Sequence, residues 1–557
     1  MKPNRLIYLP LGGAGEIGMN CYVYGYGPEG RERLIVVDLG VTFPEMETSP
    51  GVDLIMADVS WLAERADRIE GIFITHGHED HVGAVGHLWP KLGARIHARP
   101  FTARLAQGKL IEQGLDARVV TAHAPRPEWV EAGPFRVQFV PVSHSIPETS
   151  MLLIETPVGR ILHGSDFKID RTPGVGEAWD EAMLREIGDE GVRILTCDST
   201  NIFVPHPGRS ESALAEPISE LVAGARGMVA ATTFASNLAR VRTLARAGQA
   251  AGRSVCLMGR AMRTMVQTAT ETGILSGMPP LIAPEDAAEL PRDRVMLIVT
   301  GTQGERRAAS AQLSRGKYLG QEMKAGDLFL FSSRTIPGNE RAVTRVMNGF
   351  SELGVDVLDD QGGRYHVSGH ANRPDIEALY ALIRPRVVIP QHGEHRHLRE
   401  HARLAGTHGL VSDVVTNGMM LDLSEDRIDV AEYIETGRIY LDGSVLIGAI
   451  DGVVRDRIRL ALNGHVTVTV VLDEDDAPLG EAWADLMGLP ASGKRGGDLS
   501  EAIEGALAQF LGRADARTLR DDARLDEAIR RVVRQTSLEE IGKKPEVTVV
   551  VSRLSAG

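Results

Sequence analysis

Short apolar runs that close on polar residues recur from Arg5 to about Val204: LIYLPL, RLIVVDLG, GIFITHG, FRVQFVPVSH, RILHGSDF and RILTCDST. Such runs predict strands, and a strand ending in histidine or aspartate places that side chain on a sheet rim, where α/β enzymes commonly build sites. Between about His206 and Gln361 the pattern changes. GMVAATTFAS, RSVCLMGR and DLFLFSS each precede a stretch of helical period, NLARVRTLARAGQA, AMRTMVQTATETG and NERAVTRVMNGF. That alternation predicts a parallel sheet with crossover helices. RPRVVIPQHGE then returns to the first style, so the second domain reads as inserted into the first. After about Ser424 the chain is charged and turn-rich, and HVTVTVVLDE, helical stretches near Ala502 to Leu511 and Asp522 to Val533, and VTVVVSRL predict a small α+β domain. The expected division is a first domain in two parts, 1–205 and 362–424, an insert over 206–361, a linker over 425–450 and a C-terminal domain over 451–557.

A chain of 557 residues exceeds what one hydrophobic core usually supports, in keeping with several domains. With 43% hydrophobic and 24% charged residues it is neither fibrous nor extensively disordered. The net charge of −14 argues against binding nucleic acid through a generally basic surface, although bound cations and locally gathered arginines escape such a sum. Cys21, Cys197 and Cys256 are odd in number and lack C-x-x-C spacing, which reads as reduced thiols. The N-terminal stretch has no signal-peptide pattern and no run approaches a membrane span, so a cytoplasmic protein with no membrane association is expected.

The candidate chemistry sits in THGHEDHVGA, where His76, His78, Asp80 and His81 fall within six residues after an apolar strand. Histidine and carboxylate are what zinc accepts when no thiolate is offered, and one tight loop can serve two ions. Three further strand ends supply His144 in PVSHS, Asp166 in HGSDF and His392 in IPQHGE. A carboxylate between two cations can bridge them. The expected sets are therefore His76, His78, His144 and Asp166 around one ion, and Asp80, His81, Asp166 and His392 around the other. Two ions roughly 3.5–4 Å apart suit in-line displacement at phosphorus. Asp198 in LTCDST and His370 in HVSGHA are the candidates for delivering a proton to the leaving oxygen.

In this order these residues resemble the motif series of β-CASP nucleases of the metallo-β-lactamase fold. GGAGEIGMN, SSRTIPGNE and HVSGHA resemble, more narrowly, the bacterial ribonuclease J family. The resemblance runs over about residues 1–424 and extends to the C-terminal domain. It implies an α/β architecture: a metallo-β-lactamase αββα sandwich, an inserted parallel-sheet β-CASP domain and a small C-terminal α+β domain. The ligand sets above call for two zinc ions per subunit, with assistance from manganese or magnesium left open, and the resemblance implies a homodimer or homotetramer. The implied activity is 5′ to 3′ exonuclease with endonuclease cleavage, in maturation and decay of mRNA and rRNA alongside other RNA-processing enzymes. Asp38 in VVDLG matches the aspartate that braces the metal-binding loop, and reads equally as a polar strand end. Met19 departs from the lysine frequent in the family.

A pocket for the RNA 5′ end is expected from His366, Val367, Ser368, Gly369 and His370, whose amides and hydroxyl suit phosphate. Ser236 and Asn237 lie where a strand gives way to a helix and join that pocket, with Ser236 reading equally as an N-cap. His87, His97, His123, His163, His206, His395, His397, His401, His408 and His465 read as structural. The competing readings are a β-CASP nuclease acting on DNA, a simpler metallo-hydrolase, and a non-catalytic RNA-binding scaffold of the same fold.

Overall fold

The computed structural model describes residues 3–336 and 338–554. It divides into two compact units: residues up to Thr42 together with Met56–Arg438, and Phe43–Ile55 together with the chain from Ile439 onward.

In the first unit an eight-stranded and a seven-stranded sheet carry the site. Leu6, Tyr8, Tyr24 and Ile35 of one sheet share a buried core with Phe139, Leu152, Ile154 and Ile389 of the other. The strands alternate so that their remaining apolar side chains face helices. Glu181–Glu190 and Arg373–Ile383 close over the seven-stranded sheet through Leu184, Ile187, Ile376 and Leu379. The result is a helix–sheet–sheet–helix sandwich.

In the seven-stranded sheet Gly159–His163, Ile194–Asp198 and Val387–Gln391 run parallel side by side, with Asp198 level with Gln391. The insert leaves after Asp198 and the chain returns in the neighbouring strand. Within it, six strands pair entirely in parallel. Helices Leu238–Ala250 and Arg260–Glu271 cover one face through Leu244 and Met262, while Glu340–Glu352 covers the other through Val343 and Phe350.

Residues 425–450 form more than a bare connection: they hold the strands Asp429–Tyr433, Arg438–Asp442 and Val445–Gly448. Asp429–Tyr433 pairs with Met419–Asp422 and so extends the eight-stranded sheet. In the second unit His465–Leu472 lies between Trp483–Met487 and Glu546–Arg553, and its alternating valines bury against Ile503, Leu507 and Ile529 of two helices. Among the described residues no helix is long and apolar enough to cross a membrane. The three cysteines are free and buried.

Candidate metal centre

The strand Ile69–Phe73 leads into Thr75 and His76, and the short helix Glu79–Val82 carries Asp80 and His81. Asp38 pins this loop from below. It is fully buried, with φ +64°. Its carboxylate accepts the Thr75 N–H at 2.8 Å and the Thr75 hydroxyl at 2.9 Å, and lies 2.7 Å from His81 Nδ1.

Among the described residues three groups of ligating atoms converge, each with its atoms within 4.8 Å of one another: His76, His78, His144, Asp166; Asp80, His81, Asp166, His392; and Asp166, Asp198, His370, His392. All seven residues singled out as ligands fall in the first two, and Asp166 belongs to all three. His78 Nδ1 lies 3.1 Å from both His76 Nε2 and His144 Nε2. The other nitrogen of His144 donates to the Gly369 carbonyl at 2.6 Å, which leaves Nε2 as the lone-pair nitrogen. His392 Nε2 lies 3.2 Å from Asp80 Oδ2, and His81 Nε2 3.3 Å from Asp166 Oδ2.

Burial pushes the pKa of His76 and His144 well below the ordinary value and that of His78 down to about 4. Neutral imidazoles are what a metal requires. On the other side burial is outweighed: Asp166, Asp80 and Asp38 lift His81 to about 10, and Asp166, Asp198 and Asp80 raise His392 well above its usual range. The carboxylates thus demand positive charge, and Asp166 Oδ1 is buried without a hydrogen-bond partner. This donor set fits divalent cations.

Asp198 and His370 meet beside it. His370 Nδ1 donates to Asp198 Oδ2 at 2.7 Å, and the other Asp198 oxygen accepts the N–H and hydroxyl of Thr200 at 2.8 and 2.7 Å. Burial lowers the His370 pKa, yet Asp198 and Asp166 raise it above its usual value overall.

The residues expected around phosphate divide. Ser368 Oγ accepts from Asn201 Nδ2 at 2.9 Å and from the His370 N–H at 3.2 Å. Val367 turns its side chain into the core of the insert, and His366 Nδ1 lies 3.5 Å from Arg240 Nη1. Asn237, and not Ser236, is the N-cap of Leu238–Ala250, its Oδ1 accepting the Arg240 N–H at 2.9 Å. Ser236 Oγ instead lies 3.1 Å from His78 Nε2, which links the insert to a candidate ligand.

Thr75, Thr200, Asn20 and Asn201 were not singled out in sequence. Thr75 and Thr200 adjoin T-HGHEDH and CD-S-T, and that adjacency was the available signal. Asn20 donates to the Asp80 carbonyl at 3.0 Å from within GGAGEIGMN. None of the ten histidines read as structural falls in the three groups. Met19 is buried, and Pro337 of SSRTIPGNE lies outside the described residues.

Four family models match in order: Metallo-beta-lactamase superfamily over residues 14–213, Ribonuclease J, beta-CASP domain over 226–350, Zn-dependent metallo-hydrolase RNA specificity domain over 364–415 and Ribonuclease J C-terminal domain over 452–554. The chain is 40% identical to ribonuclease J of Sinorhizobium meliloti over 99% of its own length and 98% of that protein's. It is 35% identical to ribonuclease J of Mycolicibacterium smegmatis over 99% and 98%, and 34% identical to that of Thermus thermophilus over 84% and 82%. Among solved structures, a protein of unknown function from Enterococcus faecalis superposes with a TM-score of 0.51 at 14% identity, covering 75% of this chain and all of the other, a likeness of fold. Matched over 99% of its length by two of these relatives and by the four models in succession, the chain belongs to the ribonuclease J family of metallo-β-lactamase-fold, β-CASP proteins.

Proposed function

We propose that this chain is a zinc-dependent ribonuclease that hydrolyses RNA phosphodiester bonds at a two-ion site, acting as a 5′ to 3′ exonuclease with endonuclease activity. The observation that carries the reading is the sharing of Asp166 among three converging donor groups, one of which holds the Asp198–His370 pair. His76, His78, His144 and Asp166 would hold one ion, and Asp80, His81, Asp166 and His392 the other. When bound, the ions supply Lewis-acid charge for the phosphoryl oxygens and an activated water. Zinc is favoured over manganese or magnesium because imidazole dominates the donor set.

The chain's own groups do the rest. Asp38 and Thr75 hold the histidine loop, the Gly369 carbonyl fixes the tautomer of His144, and the Ser236 hydroxyl orients the His78 ring. Asp198, held by Thr200, orients His370 through Nδ1, so that Nε2 is the nitrogen that hands a proton to the leaving oxygen. Ser236, Asn237 and the run from His366 to His370 border the place for the terminal phosphate, Asn237 by ordering the helix start. Domain limits of 1–205, 206–361, 362–424 and 451–557, cytoplasmic location, assembly as a homodimer or homotetramer and contact with other RNA-processing enzymes complete the reading.

Labelled RNA and DNA of one sequence, and RNAs with 5′-monophosphate, triphosphate or hydroxyl ends, test it. RNA should be cut in preference to DNA, with single nucleotides released from the monophosphate end. His78→Ala and His392→Ala should each bring cleavage to background, and unchanged cleavage in both would overturn the metal mechanism.

A further inference from the structure

The inserted domain carries a second concave feature, built on elements that contribute nothing to the donor groups. Helix Glu340–Glu352 and the turns at Gly304 and Ser314–Arg315 enclose an open cleft of about 830 Å³. Arg341 and Arg345 line it one helical turn apart, roughly 6 Å along the axis. Arg315 lines it too, and its Nη1 donates to the Arg306 carbonyl at 3.5 Å. Arg334 stands alongside, its carbonyl accepting from Nε2 of Gln303, the neighbour of Gly304, at 3.0 Å.

All five arginines are exposed, and none makes an ion pair among the described residues. Elsewhere exposed arginines are commonly matched, as in Arg403–Glu400 at 2.7 Å and Arg459–Glu546 at 2.7 Å. Two nearby carboxylates are engaged by backbone amides: Glu305 accepts the Gln303 N–H at 3.0 Å and Glu340 the Gly338 N–H at 2.9 Å. Glu352 is the remaining carboxylate on the cleft. In a chain of net charge −14 this is a local reversal of sign.

A solvated face would show such arginines scattered. Here three of the five, Arg315, Arg341 and Arg345, line one hollow, and the backbone of the other two runs beside it. The strand end next to Arg334 leads toward the candidate phosphate residues: Ser332, two before it, donates its hydroxyl to the Tyr365 carbonyl at 2.6 Å. We infer that the cleft is a second RNA-binding site, holding the phosphodiester backbone of a single-stranded segment that extends beyond the metal centre. The inference rests on the ribonuclease reading above. Guanidinium forks match phosphate oxygens, and Thr344 and Asn348 on the same wall add hydrogen bonds. No aromatic side chain lines the cleft, so bases are not stacked and the hold is electrostatic, indifferent to sequence and sensitive to salt.

The test compares the full chain with R341A/R345A and the charge-conserving R341K/R345K. Binding of a 20-nucleotide and a 4-nucleotide single-stranded RNA is followed by fluorescence anisotropy across a salt series. In the parent the longer RNA should bind more tightly. In R341A/R345A that advantage should shrink at least tenfold, with the dependence of log Kd on log salt shallower by about 0.7 per arginine removed. R341K/R345K should recover most of it. An equal advantage in parent and R341A/R345A overturns the inference. So does a fall in sedimenting mass with the advantage intact, which would make the cleft a contact between copies of the chain. Cleavage of the 4-nucleotide RNA by the parent is scored separately: its absence sinks the hydrolase reading and leaves the length dependence of binding to judge the cleft.

Discussion

Gly369 has no room for a side chain. A Cβ there would stand 2.7 Å from Ser145 Oγ, 2.8 Å from Ser145 Cβ and 3.0 Å from His144 Cε1. The same residue's carbonyl takes the His144 Nδ1 hydrogen, so backbone placement and ligand orientation are one constraint. Gly369→Ala should therefore push His144 out of line and cost about 10–100-fold in metal affinity or activity, the usual effect of losing a ligand's outer partner. Metal content after dialysis and cleavage of a labelled RNA would check it, and full retention of both would remove Gly369 from the site's support. The run of His76, His78, Asp80 and His81 was legible in sequence because four ligating types crowd one loop. Gly369's steric role was not, since it depends on Ser145, more than two hundred positions away.

At the scale of elements, the site is a product of strand register. Asp198 ends level with Gln391, so the next residue, His392, emerges beside Asp198 although the whole insert separates them in sequence. The reading that strands ending in histidine or aspartate share a rim captured this, because parallel neighbours end on the same side. Helix starts were harder to read. Ser236 and Asn237 are both capable caps one position apart, and the backbone decides: Asn237 takes the cap, which frees Ser236 for His78. Their substitutions should then separate. Asn237→Ala should cost about 1 kcal/mol of stability through the lost cap. Ser236→Ala should leave the melting temperature in place while lowering metal retention or discrimination among 5′ ends. Denaturant unfolding of both variants, set beside their cleavage of monophosphate and hydroxyl RNAs, checks the division, and a stability loss in Ser236→Ala alone would reverse it.

On the scale of the whole molecule, net charge conceals two opposite local fields. Arginines gather on the insert, while Asp38, Asp166 and Asp198 are buried together with Asp80 at the rim. The sequence reading already set Asp80 and Asp166 on a shared ion, but not how deeply Asp38, Asp166 and Asp198 are buried, because that burial requires both sheets to close. Carboxylates crowded away from water repel one another unless cations intervene, and an ion that binds only the folded state stabilises it by about 2.7 kcal/mol at a hundredfold excess over its Kd. Removing metal with a chelator should accordingly lower the unfolding temperature of the first unit. Added zinc should restore it progressively with the logarithm of its concentration, and manganese and magnesium more weakly. The second unit has its own core around Val466, Val468 and Ile529 and contributes to none of the three donor groups, so its transition should stay where it is. Calorimetry of the full chain with and without chelator resolves the two. A shift confined to the first transition supports a structural hold by the ions, and an unmoved first transition would mean that the aspartates tolerate their proximity without metal.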